Sequence, residues 1–188
     1  ENRGCRNDDF FPGTLLRQSL SGEEDVSLEQ EMKYVESYLI IQKMRYQDKL
    51  EFSLDMEASV GHTRIPKLVL QPLVENAIYH GMEFMDGDGE IMVRAWREDK
   101  ELYFQVEDNG LGMTQEQIKR LFYDQPHTGS SRGSGIGVKN VNERIRLYFG
   151  GEYGLSIESE PDEGTVVTIR LPAVEYSRIR EREEYDKA

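Results

Sequence analysis

Glu101-Leu102-Tyr103-Phe104-Gln105-Val106-Glu107-Asp108-Asn109-Gly110-Leu111-Gly112-Met113 is the stretch on which the fold turns. Leu102, Phe104 and Val106 recur at every second position, the period of a strand with one buried face. Asp108 falls on that same face two residues later. A carboxylate at the end of an apolar stripe is costly unless something pairs with it. Asp, Asn and Gly also favour turns, so Asp108-Asn109-Gly110 reads either as a plain turn or as the edge of a binding site. Gly112 follows at once, and two glycines so close let main chain approach a flat ligand, whose exocyclic amine could donate to Asp108.

Upstream, Glu90 to Arg97 alternates in the same way, and Glu98-Asp99-Lys100 joins the two segments as a hairpin. Leu50, Phe52, Leu54 and Met56 alternate with Glu51, Ser53 and Asp55, a further half-buried strand. Tyr153 to Glu160 and Thr165 to Leu171 flank the turn Pro161-Asp162-Glu163-Gly164 and complete the strands. Helices fall between them. Ser27 with Gln30 three residues on is a capping box, and Leu28, Met32, Val35 and Leu39 carry one apolar stripe to near Tyr46. Leu68 to Ile78 predicts a second helix that tolerates Pro72 in its first turn and runs to Gly81. Thr114 with Gln117 caps a short helix to about Tyr123, and Ile136 to Phe149 forms the last.

Strands adjacent in sequence are expected to pair antiparallel, with the helices on one face. The class is α+β, a two-layer α/β sandwich built on a mixed, mostly antiparallel sheet. Three regions follow: residues 1–26 as the remnant of a preceding helix or a linker, expected to be partly disordered, 27–175 as the main domain, and 176–188 as a charged tail.

Gly133-Ser134-Gly135-Ile136-Gly137 leads into the last helix. Alternate glycines free backbone N–H groups to converge at a helix N-terminus, where partial positive charge favours phosphate; the same residues also suit a flexible linker. Neither G-x-G-x-x-G after a strand nor G-x-x-x-x-G-K-[ST] is present, so a nucleotide site here needs another architecture than the dinucleotide fold or the P-loop. On the helix Leu73 to Gly81, Asn76 and His80 are four apart and share a face. Asn76 could offer an amide oxygen to a hard cation, His80 an imidazole to phosphate, and Glu75 a proton acceptor, although a lone Glu-Asn pair is also an ordinary solvated spot.

The net charge of −13 argues against nucleic acid and anionic membranes as partners. With 37% hydrophobic residues and no apolar run of the roughly 18 that a span requires, the chain reads as soluble and globular. One cysteine, Cys5, excludes an internal disulfide framework and fits a reducing compartment. The chain opens on Glu1 rather than Met, which suggests a segment of something longer.

Taken together, Glu75-Asn76-Ala77-Ile78-Tyr79-His80-Gly81, Asp108-Asn109-Gly110-Leu111-Gly112-Met113 and Gly133-Ser134-Gly135-Ile136-Gly137-Val138 resemble, in order and separation, the N box and two glycine boxes of the Bergerat-type ATP-binding fold shared by gyrase, Hsp90, histidine kinases and MutL. Leu70-Gln71-Pro72-Leu73-Val74 before the N box, the helix Ser27 to Tyr46, and Gly137-Val138-Lys139-Asn140-Val141-Asn142-Glu143-Arg144 narrow the match. They are similar to the bacterial LytS-type sensor histidine kinases, over roughly Leu15 to Pro172.

The resemblance implies ATP and Mg²⁺, with ATP between the Asn76 helix and a mobile lid from Met113 to Gly135. Asp108 would bind the adenine amine, supported by Thr165, and Asn76 would coordinate Mg²⁺. His80 would contact phosphate, and Gly110, Gly112, Gly133, Gly135, Ile136 and Gly137 would wrap the nucleotide. Glu75 would orient or activate an attacking histidine. Implied partners are the protein's own dimerisation and phosphoacceptor domain, a response regulator and a second copy in a full-length homodimer. The setting would be the cytoplasmic side of a membrane receptor. None of His62, His80 and His127 stands in the helical setting of the family's phosphoacceptor, so the chain is expected to hold the catalytic half only. A catalytically silent ATP-binding module and a gyrase- or MutL-type ATPase remain as alternatives.

Overall fold

Ser27 begins the first helix as its spacing from Gln30 predicts. In the computed structural model, which describes residues 25–82, 88–123 and 136–173, Gln30 N–H donates to Ser27 Oγ and Ser27 N–H donates to Gln30 Oε1, each at 3.2 Å. Two orphan donors are thus satisfied reciprocally. Helix α1 spans Leu28–Tyr46 and buries Leu28, Met32, Val35 and Leu39 on one stripe.

Two three-residue strands escape any sequence pattern, since three residues hold barely one period of alternation. β1 (Asp25–Ser27) pairs antiparallel with β3 (Arg64–Pro66), and Arg64 Nε donates to Asp25 Oδ2 at 2.9 Å. Asp25 and Val26, assigned from sequence to the preceding remnant, therefore belong to the folded body. The rest of that remnant lies outside the described residues, as do the segments 83–87, 124–135 and 174–188.

The main sheet has five strands: β2 (Leu50–Met56), β4 (Gly89–Glu98), β5 (Glu101–Asp108), β6 (Gly154–Glu160) and β7 (Gly164–Pro172). Their order is β2-β4-β5-β7-β6. Every neighbouring pair is antiparallel except β2 and β4, which run parallel. That departs from the antiparallel pairing expected of these two strands. The cause is the connection between them, which carries a helix across the sheet, and such a crossover returns the chain in the same direction. The hairpin of β4 and β5 turns tightly through Asp99, whose φ of 50° an Asp tolerates better than most side chains.

Ile91, Val93 and Ala95 on β4, Leu102, Phe104 and Val106 on β5, and Val167, Ile169 and Leu171 on β7 are all buried toward the helices. On the opposite face Trp96 stacks on Tyr103 with ring centroids 5.4 Å apart, and Arg94 Nη2 donates to Glu107 Oε2 at 2.8 Å. One covered face and one open face make the expected two-layer α+β sandwich.

Helix α2 (Gln71–Asn76) has Pro72 in its first turn, where a missing N–H costs nothing, and continues as a π-helical stretch, Ala77–Met82. Helix α3 (Gln115–Tyr123) starts from the expected cap, with Thr114 N–H donating to Gln117 Oε1 at 2.8 Å. Helix α4 (Ile136–Phe149) completes the helical layer. Among the described residues no helix is long and apolar enough to cross a membrane.

Candidate functional site

Asp108 ends β5 on the buried face, only 6% exposed. Its Oδ1 accepts the Gly110 N–H at 2.9 Å, and the Thr165 backbone N–H donates to the same carboxylate. Burial pushes the carboxyl from its ordinary 3.8 up to about 6, with a small further push from Glu107, against the downward pull of the two N–H donors. A buried acid with acceptor capacity to spare suits a ligand that brings a donor.

The ladder places Asp108 opposite Thr165 and Thr165 opposite Ser159, so one polar row crosses β5, β7 and β6 at the end of the sheet. Ser159 is the node of that row. Its hydroxyl donates to Gly164 O at 2.6 Å, accepts the Met113 N–H at 2.8 Å, and lies 3.0 Å from Thr165 Oγ1. With the Ser159 hydrogen given to Gly164, Thr165 is the donor in the last contact. Ser159 follows Leu155 and Ile157 on an inward-facing stripe. It therefore bears the same sequence signal that marks Asp108, a polar residue continuing an apolar period.

The glycines of the first box differ in what they do. Gly110 is buried and its N–H serves the Asp108 carboxylate. Gly112 has a φ of +62°, and a Cβ there would stand 1.9 Å from the Glu160 carbonyl oxygen. The missing side chain of Gly112 thus makes room for the turn between β6 and β7. Asn109 serves the entry of β4, its Oδ1 accepting the Glu90 N–H at 2.7 Å and its Nδ2 donating to Asp88 O at 3.2 Å.

On α2, Glu75 Oε1 accepts from Gln71 Nε2 at 2.9 Å, one turn away on the same helix. Asn76 is half-exposed at the joint between α2 and its π-helical continuation. A π-helical turn shifts the side chains after it around the axis relative to an α-helix, and such turns are frequent at functional sites. The continuation packs on β4, β5 and β7, while α2 itself packs on α4. There Gly137, in the first turn of α4, approaches Pro72 so closely that an added Cβ would lie 3.1 Å from the proline Cβ. Asn76 is therefore carried by an element in contact with both the strands that bear Asp108 and Thr165 and the start of α4.

Ile136 is the first residue of α4. The side chains of Ile136 and His80, and the whole of Gly133, Gly135 and His127, lie outside the described residues. Among the described residues no three His, Cys, Asp or Glu side chains cluster to hold a metal by themselves.

A one-sided helical layer lies on a mostly antiparallel sheet, with a buried acid at the sheet end and an asparagine on the adjacent helix. Two solved structures share the fold. One is the histidine kinase domain of the blue-light activated histidine kinase of Erythrobacter litoralis EL346, with a TM-score of 0.56 at 15% identity, covering 85% of this chain and 68% of that one. The other is the catalytic domain of the histidine kinase ThkA in a nucleotide-free form, with a TM-score of 0.58 at 14% identity, covering 79% and 96%. Residues 61–175 match the family described as histidine kinase-, DNA gyrase B-, and HSP90-like ATPase, and residues 13–50 match the family described as histidine kinase. The chain belongs to the histidine kinase-, DNA gyrase B- and HSP90-like ATPase family.

Its curated relatives bear out the resemblance to LytS-type sensor histidine kinases. The sensor histidine kinase YesM of Bacillus subtilis (strain 168) is 39% identical over 161 residues, covering 85% of this chain and 26% of YesM. BtsS of Escherichia coli (strain K12) is 36% identical over 163 residues, covering 87% and 26%, and the sensor protein LytS of Bacillus anthracis is 35% identical over 147 residues, covering 78% and 25%. The chain spans about a quarter of the length of these relatives.

Proposed function

We propose that this chain is the ATP-binding catalytic part of a sensor histidine kinase, transferring the γ-phosphate of ATP to a histidine of the dimerisation domain upstream, for relay to a response regulator. The observation that carries the proposal is the buried Asp108 in its polar row, at the position where the family's first glycine box binds adenine. An ionised Asp108 accepts the adenine amine while Thr165 and Ser159 hold the row in place. Asn76 supplies one amide oxygen to Mg²⁺. A cation that keeps most of its shell as water and phosphate oxygens needs few protein ligands, which fits a site without a carboxylate cage. When bound, the ion neutralises charge on the phosphate oxygens.

Glu75 orients the incoming imidazole and takes its proton as the nitrogen–phosphorus bond forms and ADP leaves. Catalysis of this kind is mostly positioning and charge stabilisation. His80, Gly133, Gly135, Ile136 and Gly137 are proposed to line the phosphate side, and the full protein to be a homodimeric membrane receptor with this part on the cytoplasmic side. Exposed His62 lies on a turn rather than a helix, which supports a phosphoacceptor outside the chain. The match of residues 13–50 to the histidine kinase family favours a kinase over a gyrase- or MutL-type ATPase.

Incubation with Mg²⁺ and γ-labelled ATP, for this chain and for a version extended through the preceding helix, tests the proposal. Acid-labile phosphohistidine is expected on the extended version alone. Binding without label in either would leave a silent nucleotide module, and steady phosphate release without label would leave an ATPase.

A further inference from the structure

Glu31 lies on the buried stripe of α1 and is only 1% exposed. A carboxylate so deep persists where its oxygens are satisfied. Its Oε2 accepts the Leu68 N–H at 3.1 Å, and its Oε1 accepts those of Val69 and Leu70 at 2.8 and 3.1 Å. The same stretch is gripped from another helix of the same layer. Arg144 on α4 donates through Nη2 to Lys67 O at 2.8 Å and to Leu68 O at 3.0 Å. One side chain thus takes the N–H groups of the segment and another its carbonyls.

Between them Leu68 adopts a φ of +58°, a left-handed conformation that an L side chain enters only when its surroundings impose it. The gripped residues run directly into α2. That helix has no side-chain cap of its own: Leu70, at its N-cap, makes no side-chain cap hydrogen bond, and α2 holds only six residues before the π-helical turn. What holds 67–70 therefore sets where α2 enters, before Leu73 and Val74 are buried.

We propose that Glu31 and Arg144 form a clamp that positions Asn76, fixing α2 against α4 so that the amide oxygen meets the cation of a bound Mg·ATP. Both are positioning residues; neither touches the nucleotide. The inference rests on the nucleotide role assigned to Asn76. Asp108 sits on the sheet, outside the clamped segment, so adenine recognition is independent of the clamp. Burial pushes the Glu31 carboxyl above its usual range, against the opposing pull of the three N–H donors and Arg144.

The test is calorimetric titration of ATP with and without Mg²⁺ into the wild-type chain and the variants E31Q and R144K, with thermal unfolding of each. Gln keeps one acceptor oxygen and Lys keeps the charge and N–H donors on a single nitrogen, so at least one variant is expected to fold. The expected result is a loss of tenfold or more in affinity with Mg²⁺ and less than twofold without it. Equal losses in both conditions, the mark of a general structural role, would overturn the clamp, as would no loss in either. A wild-type chain whose affinity ignores Mg²⁺ would instead overturn the role of Asn76, and the proposal with it.

Discussion

Gly164 is seated so tightly against Asp108 that a Cβ on the glycine would stand 2.1 Å from the Asp108 carbonyl oxygen. Its φ of +96° is one that other residues rarely adopt. Gly112 answers from the other side, with a Cβ position 1.9 Å from Glu160 O and 3.0 Å from Gly164 O. Main chain packed on main chain leaves the sheet end bearing the Asp108 carboxylate little freedom to move.

Gly112→Ala and Gly164→Ala are each expected to cost about 3 kcal/mol or more, combining left-handed strain with backbone overlap. Denaturant unfolding checks this. A loss under about 1 kcal/mol in either variant would mean that the turn between β6 and β7 can move away from β5.

Asp108 makes the chain's stability depend on pH. Its folded value of about 6 lies above its ordinary 3.8, so the folded state binds the proton more tightly. The stability this confers is complete below pH 3.8 and is lost as pH rises through about 6. Asp108→Asn stays neutral throughout, so its stability relative to wild type should climb by about 2–3 kcal/mol between pH 4 and pH 7. Thermal melts across that range provide the check, and a pH-independent difference would contradict it. The acid is retained, on this account, for binding: Asp108→Ala should weaken ATP by about tenfold or more, the worth of one charged hydrogen bond.

Ser159→Ala removes the acceptor of the Met113 N–H and the partner of the Thr165 hydroxyl. Leaving part-buried donors unpaired should cost about 1–3 kcal/mol in unfolding free energy. Ser159→Thr keeps the hydroxyl and should recover part of that loss. An alanine variant as stable as wild type would show that the row does not depend on Ser159.

The sheet and its buried face were legible because β4 and β5 alternate without a break, and the starts of α1 and α3 because both carry complete capping boxes. β1 and β3 were not, being too short to show a period. The parallel pairing of β2 with β4 was hidden by a long connection whose crossover only the fold reveals. In the site, Asp108 announced itself as a charge on an apolar stripe. Ser159 gave the same signal after Leu155 and Ile157, and so did Glu31, three residues after Leu28 and four before Val35. Gly112 was legible as a special position but not in its cause, since the Glu160 carbonyl that requires it is 48 residues away in the chain.

Titration of ATP into the wild-type chain and Asn76→Ala by calorimetry, each with and without Mg²⁺, tests the central claim most directly. The account predicts that Mg²⁺ strengthens binding to wild type and that Asn76→Ala abolishes this increment while retaining the Mg²⁺-independent part anchored at Asp108. Unchanged affinity in the variant under both conditions, or no ATP binding by the wild-type chain, would contradict it.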